Sequence, residues 1–114
     1  MTVRRVMPIL TVSDLDAARE AYVRILGLRE VMNLGWIATL ADYELRHQVS
    51  LMTMDATAPV NPNVSIEVDD VDGAYRVAVD AGLEIVHPLG DEQWGVRRFF
   101  FRDRDGNVIN VLSH

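Results

Sequence analysis

Histidine is the residue type most able to do chemistry near neutral pH, because it serves both as a metal ligand and as an acid–base catalyst. The 114 residues contain three histidines and no cysteine. His47 lies at the start of a predicted strand, His87 precedes a proline in a predicted loop, and His114 is the last residue. A metal site needs convergent ligands, and these histidines lack the required spacing. We therefore interpret them as surface histidines and predict no metal and no other cofactor.

Nucleophilic and acid–base catalysis have little support in this sequence. No serine or threonine lies in a context that resembles a nucleophile elbow, and the lack of cysteine excludes a thiolate nucleophile. Glu67 is a weak candidate for a general base, since most such glutamates are solvated or paired. We predict no catalytic residue and favour a non-enzymatic role, with a metal-free isomerase that uses Glu67 as one enzymatic alternative.

Aromatic side chains offer another chemistry, which is stacking on a planar or cationic ligand. Trp36 and Trp94 are candidates for the rim of a binding groove. Residues 99–101 are three phenylalanines in one predicted strand, so their rings alternate between its two faces. Either the middle ring with the flanking arginines, or the outer two rings, faces the groove. The same aromatics would equally suit a core or a dimer interface, because pockets and interfaces share composition.

A repeated stretch organises the elements that must position these residues. Residues 12–18 begin one copy and residues 68–74 begin the other, and the shift is close to half the chain. In each copy an aspartate (Asp14 or Asp70) can cap a helix, and a glycine (Gly27 or Gly82) can end it. Apolar residues at helical spacing lie between the cap and the glycine. Both helices are therefore amphipathic and should lie on a sheet.

Alternating and turn-bounded segments predict four strands in each half. They are residues 3–12, 28–32, 36–41 and 47–54, then 63–68, 83–86, 94–102 and 108–112. Residues 87–92 are interpreted as a polar loop, and residues 103–107 as a tight turn. We predict an α+β fold of two tandem βαβββ modules, at 1–54 and 63–114, joined by a proline-containing linker at 55–62.

Composition limits the possible partners and location. The net charge of −6 argues against nucleic acid, which requires a basic face. No apolar run is long enough to span a bilayer and no leader precedes the first strand, so we predict no membrane partner and a cytoplasmic location. Each curved sheet would leave an apolar face that one small helix cannot cover, which predicts a homodimer.

The repeated helix motif V-S-D-L-D-A-A-R-E-A-Y, followed by L-G-L, and the ending W-G-V-R-R-F-F-F-R-D-R-D-G-N-V-I-N-V resemble the vicinal oxygen chelate superfamily. This superfamily includes glyoxalase I, extradiol dioxygenases, and fosfomycin and bleomycin resistance proteins. The resemblance covers nearly the whole chain and implies curved mixed sheets around a ligand groove. Metal enzymes of the superfamily take their ligands from four positions, which fall here on Met7, Ser50, Asn63 and Asn110. None of these is histidine or glutamate, so the resemblance implies the fold without the metal.

The predicted ligand-binding residues share the groove face or its rim. They are Met7, Ile9, Trp36, Ser50, Met52, Asn63, Ser65, Glu67, Trp94, Arg98, Phe100 and Asn110. The resemblance is strongest to the bleomycin resistance branch, and it implies a bacterial protein without a metal. Such a protein would sequester an aromatic or cationic antibiotic-like small molecule in a groove at the dimer interface. The alternatives are an enzyme of the superfamily, either a metal-dependent lyase or dioxygenase or the metal-free isomerase, and a structural or regulatory dimer without a ligand.

Overall fold

The order βαβββ occurs twice along the chain in the computed structural model, which describes residues Met1–His114. The first series is β1 (Val3–Thr11), α1 (Leu15–Leu26), β2 (Arg29–Asn33), β3 (Ile37–Ala41) and β4 (Gln48–Met52). The second is β5 (Val64–Val68), α2 (Val71–Asp80), β6 (Glu84–Asp91), β7 (Arg97–Arg102) and β8 (Val108–Ser113). The predicted α+β class with two βαβββ modules is confirmed.

The chain forms two compact units whose boundaries differ from a simple division into halves. The N-terminal unit is Met7–Asn61, and the C-terminal unit combines Met1–Val6 with Pro62–His114. Strand β1 is therefore shared, since its first residues belong to one unit and the rest to the other. The segment predicted as a linker begins with an anchored residue, because Asp55 is buried and its backbone N–H donates to Asn61 Oδ1 at 3.0 Å.

The N-terminal unit packs α1 on a four-stranded set in the order β2-β3-β4-β1. Only the β1–β4 pair is parallel, because these strands are joined through the helix and the intervening hairpin. Asp14 caps the helix by accepting a hydrogen bond from Ala17 N at 3.1 Å, and Gly27 ends it with φ of 67°. The core under the helix consists of Leu15, Ala38, Leu40 and Leu51.

The C-terminal unit repeats this plan with the order β5-β8-β7-β6 and a parallel β5–β8 pair. Asp70 caps α2 by accepting from Gly73 N at 2.9 Å. Tyr75 of the helix contacts Phe99 edge-to-face, with 5.2 Å between ring centroids. The core under α2 consists of Val68, Val71, Ala78, Phe99 and Val111. No helix of the structure is long and apolar enough to cross a membrane.

The predicted end of β6 was wrong, because the strand continues through most of the segment interpreted as a polar loop. Its pairing with β7 shifts register on both sides of His87, so the alternation that marks a strand is lost in the sequence. Its polar end is paired across the strands, since Arg97 Nη1 lies 3.3 Å from Asp91 Oδ2. The predicted start of the next strand was also wrong, because Trp94 lies in the turn before β7.

The alternation of the three phenylalanines is resolved by α2. Phe99 and Phe101 pack with the core beneath the helix, so Phe100 points to the opposite face of the sheet. Phe100 is fully buried there. Of the two arrangements left open by the sequence, the one with the middle ring on the face away from the helix is correct.

Candidate functional site

The face of the C-terminal sheet opposite α2 carries a group of polar side chains, and we call it the site face. Strand register sets its two rows. Asn110 of β8 lies between Ser65 of β5 and Phe100 of β7. Leu112 lies in the same way between Glu67 and Arg98. The site face is defined by Ser65, Glu67, Arg98, Phe100, Asn110 and Leu112.

Arg98 is a buried cation between two aromatic rings, with only 4% of its surface exposed. Its guanidinium carbon lies 5.1 Å from the centroid of Trp94 and 4.9 Å from that of Phe100. Arg98 Nε donates to Glu92 Oε1 at 3.0 Å, so the charge is paired as well as stacked. A desolvated cation over ring faces is attracted by their quadrupoles, and the carboxylate offsets its desolvation. The arginine therefore fixes the two rings and the glutamate in one rigid cluster.

His87 completes this cluster, and its interpretation as a surface residue was wrong. The residue is buried, because the irregular part of β6 directs its ring onto Phe100 at a centroid distance of 5.1 Å. Its Nδ1 lies 2.7 Å from the carbonyl oxygen of Pro88, and its Nε2 lies 3.3 Å from Glu92 Oε1. The Arg98 cluster is thus His87, Glu92, Trp94, Arg98 and Phe100. His47 and His114 are exposed, as predicted.

Glu67, the candidate general base, is held in an ion pair. Its Oε1 lies 3.3 Å from Arg5 Nη2 and 3.9 Å from His114 Nε2, and its side chain is 19% exposed. The carboxylate is already engaged by the guanidinium of Arg5. The geometry therefore weighs against general-base catalysis by Glu67.

Asn110 is paired on one side only. Its Nδ2 donates to Ser65 Oγ at 2.9 Å, whereas its Oδ1 is buried without a hydrogen-bond partner. Asn63, at the start of β5, is exposed but structurally engaged. Its Oδ1 accepts from Val108 N at 2.8 Å and its own N–H donates to the carbonyl of the same residue at 2.8 Å. Asn63 therefore joins β5 to β8.

The corresponding face of the N-terminal unit contains a closed polar group. Ser50 of β4 lies between Ile9 of β1 and Thr39 of β3. The hydroxyls of Ser50 and Thr39 are 2.8 Å apart, and Ser50 Oγ donates to Met7 Sδ at 2.7 Å. Met7, Thr39 and Ser50 are all buried. The hydroxyls of Ser50 and Thr39 therefore have their hydrogen-bond partners within this set of three side chains.

The predicted site residues differ in burial and in whether they meet. Met7 and Ser50 contact each other, Ser65 contacts Asn110, and Arg98 contacts Trp94 and Phe100. The buried members are Met7, Ile9, Ser50, Met52, Arg98, Phe100 and Asn110. The partly buried members are Trp36, Ser65 and Glu67, and the exposed members are Asn63 and Trp94.

Three participants were missed by sequence reasoning, namely His87, Glu92 and Thr39. His87 and Glu92 were assigned to a loop, because a strand irregularity leaves no periodic pattern. The only available signal was the buried arginine on the facing strand, which requires an acidic partner. Thr39 could have been found by parity, since it alternates with the core residues Ala38 and Leu40. No three histidine, aspartate or glutamate side chains are grouped so that they could hold a metal ion.

A doubled βαβββ module, in which each copy packs its helix on one face of its strands, defines a class of proteins by fold. The model of the Glyoxalase/Bleomycin resistance protein/Dioxygenase superfamily matches residues 3–111, so the chain belongs to that superfamily. A search of curated protein sequences gave no match.

Solved structures agree with this fold. A superfamily member from Vibrio splendidus 12B01 superposes with a TM-score of 0.76 at 19% identity, covering 99% of this chain and 100% of that one. The structure titled NAD-dependent benzaldehyde dehydrogenase from Legionella pneumophila gives 0.77 at 15% identity, covering 96% and 98%. Streptomyces coelicolor methylmalonyl-CoA epimerase gives 0.71 at 17% identity, covering 98% and 95%. At such identities the similarity concerns the fold alone.

Proposed function

We propose that this chain is a metal-independent binding protein that holds an aromatic small molecule without changing it. The observation that carries the proposal is the state of the four positions where the resemblance implies metal ligands. Met7 and Ser50 bond to each other, Asn63 binds the backbone of β8, and Asn110 bonds to Ser65. None of them supplies the imidazole or carboxylate that divalent cations prefer in proteins.

The Arg98 cluster supports an aromatic ligand in preference to a cation. Trp94 is 39% exposed, so part of its ring is open to a stacking partner. Arg98 lies over the rings of both Trp94 and Phe100 and already provides the cation that their faces attract. The sequence analysis allowed either an aromatic or a cationic ligand, and we propose an uncharged aromatic one. Phe100 is fully buried and acts as the support of Arg98 rather than as a direct contact.

The biological form that we propose for this binding is sequestration of an antibiotic-like compound in the bacterial cytoplasm, as in the bleomycin resistance branch. A homodimer is part of the proposal. Its support is a group of exposed apolar side chains around β2 of the N-terminal unit, which a second copy would cover. They are Val31, Met32 and Leu34.

The test is a calorimetric titration with planar uncharged polycyclic compounds and quinones, with cationic bleomycin as the comparison, performed with a chelator present. We expect at least one compound to bind tighter than about millimolar and to be recovered unchanged by mass spectrometry. Trp94→Ala should weaken binding roughly tenfold, which corresponds to about 1.4 kcal/mol.

Tyr43→Ala is the matched control, because Tyr43 is an exposed ring that also has an arginine over it. The guanidinium of Arg29 lies 5.4 Å from its centroid, but both residues are in the N-terminal unit. Equal losses in the two variants, or no binding by any compound, would contradict the proposal. A chemically altered ligand would make the protein an enzyme, and Glu67→Gln would then be the first variant to assay.

A further inference from the structure

The amide of Asn110 is the least satisfied polar group on the site face. The residue is 7% exposed, and its Oδ1 lacks both a hydrogen-bond partner and contact with solvent. A buried acceptor without a donor costs free energy, because it has lost its bonds to water. Native structures hold few such groups, and each one calls for an explanation.

The other unit shows that the fold can pair a polar side chain at the same place. Ser50 holds the register position in the N-terminal sheet that Asn110 holds in the C-terminal sheet. There, Thr39 and Met7 satisfy the hydroxyl completely. At Asn110 the neighbour on β7 is Phe100, which has no hydrogen-bonding group. Asn110 Oδ1 therefore lacks a partner because of the neighbouring side chains, and not because of the arrangement of the strands.

The neighbours of Asn110 restrict what could pair with its Oδ1. Ser65 Oγ accepts from Asn110 Nδ2, so its own proton is available to an acceptor. A carboxylate would meet the partial negative charge of the amide oxygen, and an ammonium group would lie close to the buried cation of Arg98, one step along the facing strand. An uncharged N–H or O–H group avoids both repulsions.

We infer that Asn110 Oδ1 is the acceptor for an uncharged N–H or O–H group of the bound aromatic molecule, with the Ser65 hydroxyl as the adjacent donor. This inference rests on the binding function proposed above and makes Asn110 its specificity-determining residue. Ser65 is only partly buried, whereas Asn110 is largely buried.

The test uses one pair of probes that differ only in the donor, naphthol and its methyl ether, with calorimetry in a chelator-containing buffer. In the wild-type protein naphthol should bind at least about tenfold tighter than the ether, the equivalent of about 1.4 kcal/mol. In Asn110→Leu the two affinities should become equal, because the acceptor is gone. Asn107→Ala is the control, since Asn107 is an asparagine of the β7–β8 turn, and it should keep the wild-type ratio.

The possible results distinguish the role of Asn110 from the aromatic-binding function on which it rests. Equal affinities in the wild-type protein would overturn the role of Asn110, although binding of both probes would leave the proposed function intact. A preference for naphthol that persists in Asn110→Leu would also overturn it. If neither probe binds tighter than about millimolar, the aromatic-binding function and this inference both fail. Should the leucine variant not fold, Asn110→Ala takes its place, and the preference for naphthol should be lost in it for the same reason.

Discussion

The two units use one backbone frame for opposite purposes. In the N-terminal unit the central side chain of the face away from the helix is Ser50, and its hydroxyl is fully paired with Thr39 and Met7. In the C-terminal unit the central side chain is Asn110, and half of its amide is unpaired. The strands meet in the same register in both cases. A doubled module can thus satisfy every polar group at this position in one copy while the other copy keeps a buried acceptor without a donor.

The next row of side chains shows the same contrast in charge. Met52 lies between Thr11 and Ile37 in the N-terminal unit, and all three are uncharged. In the C-terminal unit the equivalent residue is Leu112, which lies between Glu67 and Arg98. The charged side chains of these two rows are therefore confined to the C-terminal unit.

Among the predicted changes, removing the buried cation Arg98 should lower the free energy of unfolding the most. Arg98→Ala removes the arginine partner of the Glu92 carboxylate and leaves only His87 Nε2 beside it, and Arg98 and Glu92 are both largely buried. Breaking a buried pair typically costs about 3–5 kcal/mol, so we expect a loss near the lower end. Urea denaturation monitored by circular dichroism would measure it.

The neighbouring residue is the matched control for that experiment. Arg97 binds Asp72 and Asp91, but these groups are more exposed, and the side-chain hydrogen bond that Arg97 donates to Asp72 raises the pKa of Arg97. Exposed pairs contribute little, so Arg97→Ala should cost less than about 1 kcal/mol. Similar losses for the two arginines would show that burial of the Arg98 cluster does not matter for stability.

Smaller changes in stability are expected at the two central positions, Ser50 and Asn110, and the changes should differ in sign. Ser50→Ala should lower stability by about 1 kcal/mol, because it removes a satisfied hydroxyl and leaves Thr39 with a poorer partner. The combined change Asn110→Leu with Ser65→Ala should leave stability unchanged or raise it by up to about 1 kcal/mol, because it removes an unpaired buried acceptor. Thermal and urea unfolding of the ligand-free proteins would compare them. A loss in the combined variant as large as that of Ser50→Ala would mean that the amide is structural.

The smallest expected effect is on the pH dependence of stability, and it comes from two equivalent turns, one in each unit. Backbone hydrogen bonds from His47 and Arg46 lower the pKa of Asp42 in the β3–β4 turn, and the Asn107 side chain and backbone lower the pKa of Asp103 in the β7–β8 turn. The ordinary value is 3.8, so the unfolded chain binds the proton first as pH falls. Stability from these carboxylates is complete above that value and is lost as pH falls below it through the folded pKa.

Asparagine substitutions would show which turn contributes more. Asp103→Asn should flatten the acid-side decline of the urea midpoint more than Asp42→Asn does, because Asp103 also accepts a side-chain hydrogen bond at 2.8 Å. The measurement is a series of urea titrations between pH 2 and 6, set around the ordinary aspartate pKa of about 3.9. An equal or larger effect at Asp42 would contradict the assignment.

The fold was predictable because local and global signals agree along most of the chain. The caps at Asp14 and Asp70 and the apolar stripes behind them define both helices, and the repeat predicts that the same strands follow each helix. The end of β6 could not be predicted, because its pairing breaks register around His87 and its polar residues are satisfied by arginines on β7. Tertiary pairing there overrides the local pattern.

The site was predicted as a face but not as a set of contacts. Parity placed Phe100, Arg98 and Asn110 on one face once the position of α2 was known. It could not show that Glu92 neutralises Arg98, because that residue is outside the periodic segment. It also could not show that Asn110 lacks a donor, since hydrogen-bond satisfaction depends on neighbours from three strands.

The sharing of β1 between the units makes the N-terminal unit an insertion in the sequence of the other. Thr2 N donates to Asp69 Oδ1 at 2.8 Å across a separation of 67 residues. To form this contact, the C-terminal unit must close a chain loop that contains the whole N-terminal unit. The entropic cost of closing a loop grows with its length. Once the inner unit has formed, Asn61 Nδ2 donates to Thr11 Oγ1 at 3.1 Å, which ties the last residue of that unit to strand β1 near its first residue, Met7. The inner unit thereby shortens the effective loop for the outer one, and the nested connectivity favours an order of folding from inside to outside.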